Sequence, residues 1–248
     1  MFSQTAGMHL PIEGCQIMKK VKQHFETEAN DFDRTILTLI PYYTTMIRAL
    51  IEGIHFDRSL PLRVIDLGCG TGTVAAKVLE KFPNAHVTCM DLAENMIAAA
   101  RERLEHYPHV DFIVGDFQHH TFASNYDVAV SSLALHHLET DNDKLSFYRQ
   151  IFESLNPGGI FYNADVVLAS SEFLEGVNIQ EWRKFMSRSI SEAEITGKWI
   201  PMAEEEDHPS RLIDQLRWFA EIGFIDIDVI WKYFGFAVYG GTRPVHAC

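Results

Sequence analysis

Gly68-Cys69-Gly70-Thr71-Gly72 packs three glycines into five residues, with an acid, Asp66, two positions ahead of the first. Glycines at that density let the backbone turn tightly and let a ligand approach where a Cβ would otherwise stand. The third glycine comes one residue too early for the GxGxxG turn of dinucleotide sites, and a carboxylate beside the turn suits an ammonium group better than a pyrophosphate. Further along, Asp91 sits about 20 residues after the glycines, where an acid accepts both hydroxyls of a ribose. Gly115-Asp116-Phe117 adds an acid and an aromatic ring suited to the amino group and the face of an adenine.

His136-His137 is the second chemical feature. An imidazole titrates near neutral pH, so either histidine is a candidate general base, while the plainer alternative has one capping or packing the next helix and the other lining a pocket. Asp165, Asp207 and His208 could join them around a metal, but the spacing does not demand one, and no metal is expected. Arg34 offers a bidentate fork for a carboxylate or is a solvated helix position, and Tyr42 and Tyr43 beside it either face a substrate or pack. Asn163 and Asp165 belong to a later strand end. Trp182, Arg183, Trp199, Trp231, Lys232 and Tyr233 form a substrate box or simply pack, and packing is the commoner role for each singly. Glu204–Asp207 reads as a solvated acidic loop that would repel acidic substrates.

The elements that must hold these groups follow from hydrophobic period. Arg63–Leu67 is a short apolar run ending in the glycines, as a buried parallel strand does. A helix is expected from Thr73 to Phe82, a strand over His86–Met90, a helix from Glu94 to Glu105, and strands over Val110–Val114 and Tyr126–Ser131. A helix from Asp141 to Leu155 stops at Asn156-Pro157-Gly158-Gly159, before a strand over Ile160–Val167. Such alternation forces right-handed crossovers and a parallel sheet covered on both faces, with the ligand at the carboxyl ends of the strands. After it come an insertion, 170–207, helical and then irregular, and a helix over Ser210–Ile222 capped by Gly223. Two antiparallel strands, Ile225–Trp231 and Phe234–Tyr239, close the sheet. Residues 16–56 read as a helical arm broken at Pro41. The expected organisation is an N-terminal arm or lid, 1–58, and a binding domain, 59–248.

Three consecutive strand ends thus offer partners for an amino acid, a ribose and an adenine, the three parts of S-adenosylmethionine. Together these motifs resemble class I S-adenosylmethionine-dependent methyltransferases: VIDLGCGTG is similar to their first motif, VTCMDLAENMI to the second, VGDF to the third and YDVAVSSLALHHL to the fourth, with LNPGG as the turn after the helix. The resemblance covers about residues 60–167 and implies a Rossmann-like, seven-stranded, mostly parallel α/β sheet with a helical arm and lid. It places Asp66, Gly68, Cys69, Gly70, Asp91, Asp116 and Phe117 at the cofactor, with Leu92 and Met96 flanking the adenine and Ser131 and Ser132 beside the methionine portion. His136, His137, Arg34 and Tyr42 are then the candidate catalytic groups. The flanking segments are similar to trans-aconitate methyltransferases and to carboxy-S-adenosylmethionine synthase.

Composition narrows the partners. The 248 residues carry a net charge of −13, with 47% hydrophobic and 22% charged residues. A field of that sign repels phosphate backbones, so nucleic acid is not an expected partner. No apolar run reaches the roughly 20 residues of a membrane span, and the N-terminus lacks a secretory pattern. Four scattered cysteines without a CxxC pair suit reduced thiols, Cys69 is assigned no reactivity, and a cytoplasmic protein is expected, with a homodimer as the candidate assembly. Methyl transfer to a small molecule leads. Two alternatives remain: an enzyme that consumes the cofactor itself, by cyclisation to an azetidine or by carboxylation of its methyl, and a non-catalytic binding module.

Overall fold

A computed structural model describes residue 22 and residues 32–122 and 125–245. Apart from residue 22, the expected helical segment before residue 32 lies outside them, as do Cys15 and Cys248.

The chain begins with two short helices, α1 (Phe32–Leu39) and α2 (Tyr43–Gly53), and then alternates: β1 (Arg63–Leu67), α3 (Thr73–Lys81), β2 (His86–Asp91), α4 (Glu94–Arg103), β3 (Val110–Val114), β4 (Tyr126–Ser132), α5 (Asp141–Ser154) and β5 (Leu155–Val166). A helical lid follows, α6 (Glu172–Met186) and α7 (Ile200–Glu206), joined through the short turns Glu192–Glu194 and Ile195–Trp199. Then come α8 (Leu212–Ile222), β6 (Ile225–Tyr233) and β7 (Phe236–Thr242). The sheet has seven strands in the order β3-β2-β1-β4-β5-β7-β6. Five strands pair in parallel, and β7 runs antiparallel to both of its neighbours.

Strand order reverses between β1 and β4, and that is where the chain leaves the sheet in opposite directions and opens a crevice. Alternation along each strand builds two cores. On one face Val64, Val87 and Val128 meet Met46 and Leu50 of α2, Val78 of α3 and Ile97 of α4. On the other, Ile65, Leu67 and Phe161 meet Phe147 and Ile151 of α5 and Phe219 of α8. The lid adds a small core of its own, in which Met186, Ile195 and Trp199 pack with Leu39 of α1.

Several boundaries differ from the sequence reading. β5 begins at Leu155, because Asn156–Gly159 loops out of the ladder between the pairs Tyr126–Leu155 and Val128–Ile160. The insertion does not turn irregular. Ser191 caps a new turn by accepting the Glu194 N–H at 3.2 Å, and Pro201 falls in the first turn of α7, where no N–H is needed. Glu204–Glu206 therefore finish a helix instead of forming a solvated loop. The last helix starts at Leu212, two residues later than its pattern, since Leu168 and Arg211 form a bridge just ahead of it.

Candidate functional site

Gly68 and Gly70 show why the turn after β1 is built from glycine. Both hold left-handed backbones, at φ +67° and +52°, and a Cβ on Gly68 would stand 2.3 Å from the Ala134 Cβ. Removing both side chains lets the turn lie against the end of β4. Asp91 then fastens it: one carboxylate oxygen accepts the Gly70 N–H at 2.8 Å and the other accepts the Ala93 N–H at 2.9 Å. A carboxylate oxygen can accept more than one hydrogen bond, so the acid that fastens the turn is also of the chemical kind that takes a ribose hydroxyl.

A cavity opens over this turn. Among its walls are Gly68, Cys69, Gly70, Asp91, Leu92, Met96, Phe117, Ser132 and His137, so most of the residues expected at the cofactor face one space. Asp66, Ser131 and Asp116 do not, and each has a physical reason. Asp66 is fully buried behind the turn, accepting the Ala75 N–H of α3 at 3.1 Å. The Ser131 hydroxyl is spent on the Leu67 carbonyl at 2.8 Å, stapling β4 to β1. Asp116 caps the single turn Phe117–His119 through the Gln118 N–H and pairs with His119 at 2.8 Å.

Phe32, Tyr43, Thr71, Thr73, Val74, Leu133 and Ala134 complete the wall, and the sequence reading had assigned none of them to it. Tyr43 is the important omission. Burial pushes its phenol well above the ordinary value, the Asp33 and Asp66 carboxylates add to that, and Arg103 opposes them. It carried the same signal as its neighbour Tyr42, an aromatic at a helix start, so nothing in the pattern separated the two. Tyr42 instead stands half-exposed in a left-handed conformation, edge-on to Tyr233 at 4.8 Å, and lines neither cavity. Arg34 also points outward, because Phe32, Thr35, Ile36 and Leu39 take the inner face of α1 at helical spacing.

The space past Phe32, Leu133 and His137 is a second cavity of about 340 Å³ under the lid. Ile36, Leu39, Val166, Trp182, Trp199 and Phe236 supply apolar walls, and Glu175, Glu204, Glu206 and Asp207 supply acids. Neither arginine nor lysine is among its described lining residues. Trp182 helps fix it by donating its Nε1–H to the Leu39 carbonyl at 2.8 Å, satisfying one of the open acceptors at the end of α1. Arg183 pairs with Glu192 on the lid surface, and Trp231 packs against the sheet core.

His136 and His137 lie on a tight turn (Leu135–His137) after β4, both buried, with His137 on the wall of both cavities and His136 on that of the second. His136 is clasped by two carboxylates: its Nδ1 lies 2.5 Å from Asp165 and its Nε2 3.3 Å from Asp207. Burial alone would lower its pKa, but Asp165 and Asp207 outweigh burial and push it up to about 10. His137 goes the other way, lowered to about 4 by burial and then by the charge on His136, against the pull of Asp207. Two adjacent imidazoles are thereby driven to opposite charge states at neutral pH. The His137 Nδ1 lies 3.1 Å from the Glu206 carbonyl, which can only accept, so Nδ1 carries the proton and Nε2 the lone pair.

Behind them runs a buried chain of hydrogen bonds. Asn163 donates to Asp165 at 3.1 Å and to the Tyr239 hydroxyl at 2.9 Å, and Tyr239 and Tyr148 both donate to Gln215. Asp207, just past the end of α7, was expected in solvent and instead pairs with His136. Burial would raise its carboxyl, yet the His136 charge holds it below the ordinary value. His136, His137 and Asp207 offer three atoms within 4.8 Å of one another, as a metal site would. Both His136 nitrogens already bond carboxylates and His137 bonds a carbonyl, so the cluster is satisfied as an ion-pair network.

Two observations test whether S-adenosylmethionine suits the first cavity. Oδ1 of Asp66 and Oγ of Ser132 are buried with no hydrogen-bond partner, and such groups are costly unless a ligand completes them. Burial also pushes the Asp66 carboxyl up to about 7, and a cation arriving in front of the turn would favour its charged form through space. The residues fit the group.

The comparisons agree. A family described as "Methyltransferase domain" matches residues 64–159. Malonyl-acyl-carrier-protein O-methyltransferase 2 of Ilyobacter polytropus is 23% identical over 195 residues, which cover 76% of this chain and 72% of the relative. The malonyl-acyl-carrier-protein O-methyltransferase of Bacillus anthracis is 36% identical over 106 residues, covering 43% of this chain and only 38% of the relative. Among solved structures, the DhpI-SAM-HEP complex matches 98% of this chain and 100% of that one, at TM-score 0.60 and 19% identity. Human N-acetylserotonin methyltransferase in complex with SAM matches 95% of this chain and 60% of that one, at TM-score 0.62 and 15% identity. Among the described residues no helix is long and apolar enough to cross a membrane.

Proposed function

We propose that the chain is a class I S-adenosylmethionine-dependent methyltransferase that methylates a small, largely apolar acceptor held under the lid. The supporting observation is the junction: His137 belongs to both cavities, with its Nε2 the proton-accepting atom. Bound there, S-adenosylmethionine supplies an electrophilic methyl whose donor departs as a neutral thioether.

The chain's own residues supply alignment, dryness and a proton acceptor. Asp91 would take the ribose hydroxyls, Leu92, Met96 and Phe117 would bracket the adenine, and the glycine turn with Asp66 behind it would take the amino-acid portion. Phe32 and Leu133 narrow the passage between the cavities. The lid keeps water from a reaction in which charge is dispersed. Burial, with the charge on His136 adding to it, keeps His137 neutral, and His137 is the group to accept the acceptor's proton.

The walls also bear on the acceptor. A malonyl carboxylate, as in the relatives' names, asks for a cationic fork; the described walls bring acids and neither arginine nor lysine, and the cationic His136 among them is already clasped by Asp165 and Asp207. An enzyme that cyclises its own cofactor needs little room past the sulfonium, and the adjoining 340 Å³ weighs against that reading. Mass spectrometry after incubation with S-adenosylmethionine, alone and with cell extract, tests the proposal. S-adenosylhomocysteine should appear only with extract, alongside a product one methyl heavier. Methylthioadenosine formed without extract would overturn it.

A further inference from the structure

The outer end of the cofactor turn carries contacts that neither the turn nor the chemistry requires. Thr71 donates its hydroxyl to Oδ1 of Asp33 at 2.7 Å. Arg103, at the last turn of α4, donates to the Thr71 hydroxyl at 3.0 Å and also to Thr73, while its second nitrogen pairs with Oδ2 of Asp33. Thr71, Arg103 and Asp33 thus close one ring, with Thr73 tied to it through Arg103, and the contacts join three places in the chain: the glycine turn with the start of α3, the end of α4, and α1. Asp33 is the only member from α1. The helix it belongs to presents Phe32, Thr35, Ile36 and Leu39 to the acceptor cavity, and the ring of Phe32 reaches within 3.8 Å of where a Gly70 Cβ would stand.

We propose that Asp33 is a positioning residue that ties the acceptor wall to the cofactor turn, so that filling the first cavity orders α1 over the second. The inference rests on the two-cavity reading above. A cofactor that stills residues 68–72 stills Thr71, and through Asp33 it stills the helix that forms one side of the acceptor space. Coupling of this kind is reciprocal, so an acceptor seated under α1 tightens the cofactor by the same factor. The Asp33–Arg103 pair is partly exposed, with side chains 47% and 31% accessible, so the coupling is modest and weakens with salt.

Hydrogen–deuterium exchange with S-adenosylhomocysteine as the probe tests this. In the natural sequence the probe should slow exchange in residues 68–72 and, by about fivefold, in residues 32–41. In Asp33→Ala the slowing at 68–72 should persist while that at 32–41 falls below about twofold, and Asp33→Glu should restore part of it. Arg103→Gln, which leaves α1 untouched, should uncouple the same peptide and serves if the alanine variant fails to fold. A merely structural Asp33 would speed exchange of 32–41 equally with and without the probe. Equal slowing of 32–41 in the natural protein and in the variants overturns the proposal, as does an α1 indifferent to the probe while 68–72 responds. No response at 68–72 in the natural protein would sink the cofactor reading itself.

Discussion

Replacing Asp66 by asparagine gives the sharpest test of the site's electrostatics. The carboxyl is fully buried and its pKa stands at about 7 against 3.8 for an ordinary aspartate, because burial outweighs the Ala75 N–H that favours the anion. In the unfolded chain Asp66 ionises near 3.8, so between pH 3.8 and 7 the folded state holds a proton that the unfolded state has lost, and stability falls as pH rises. A shift of about 3 units at 1.36 kcal/mol each makes that loss about 4 kcal/mol, complete above pH 7 and absent below 3.8. Asparagine does not titrate and can keep an oxygen on the Ala75 N–H. Every other group titrates alike in the two proteins, so the difference in unfolding free energy between them isolates Asp66. Urea titrations at pH 4, 5.5, 7 and 8.5 should show Asp66→Asn gaining on the natural protein by about 4 kcal/mol across the series and levelling off above pH 7. The amide's unpaired hydrogens shift the whole curve without changing its slope. A difference that is flat with pH would refute the reasoning, because it would mean that Asp66 is hydrated or already paired.

Three further outcomes follow from the same geometry. Binding of S-adenosylhomocysteine at pH 7 should expel roughly half a proton from Asp66 as its ammonium arrives, read by calorimetry in buffers of different ionisation enthalpy; proton uptake would contradict the assignment. Asp91→Ala should weaken that binding by at least about 100-fold, the worth of two charge-assisted hydroxyl contacts, with the fold intact by circular dichroism; unchanged affinity would remove Asp91 from the ribose. Nitrogen-15 spectra should show His136 protonated through pH 9 and His137 neutral down to about pH 5, and Asp165→Asn should bring the His136 titration down and cost on the order of 3 kcal/mol; a His136 titrating near 6.5 would dissolve the clasp.

How much of this could be read from residues alone divides along physical lines. Period and punctuation reported the sheet well, because buried parallel strands and amphipathic helices leave local signals, and Gly223 ended α8 as a left-handed cap should, at φ +111°. The glycine turn and Asp91 were legible for the same reason: they are local in sequence and follow a strand. The walls supplied by the first two helices were not. Phe32 reaches both cavities, and Tyr43 the cofactor cavity, only because α1 and α2 fold back over the strand ends, and no hydrophobic period says which loop a helix will cover. Asp207 was misread because an acidic run resembles solvated chain until tertiary contact brings its last member onto His136. Asp66, Ser131 and Asp116 show the converse: the motif placed them at the right strand ends, and only the hydrogen bonds to Ala75, Leu67 and Gln118 reveal how their side chains are engaged.

A crystal structure with S-adenosylhomocysteine bound addresses the central claim directly. The ribose should lie on Asp91, the adenine between Leu92, Met96 and Phe117, and the sulfur should face the passage at Leu133 and His137 toward the lid cavity. A nucleoside bound elsewhere, or with its sulfur turned away from that passage, would contradict the account.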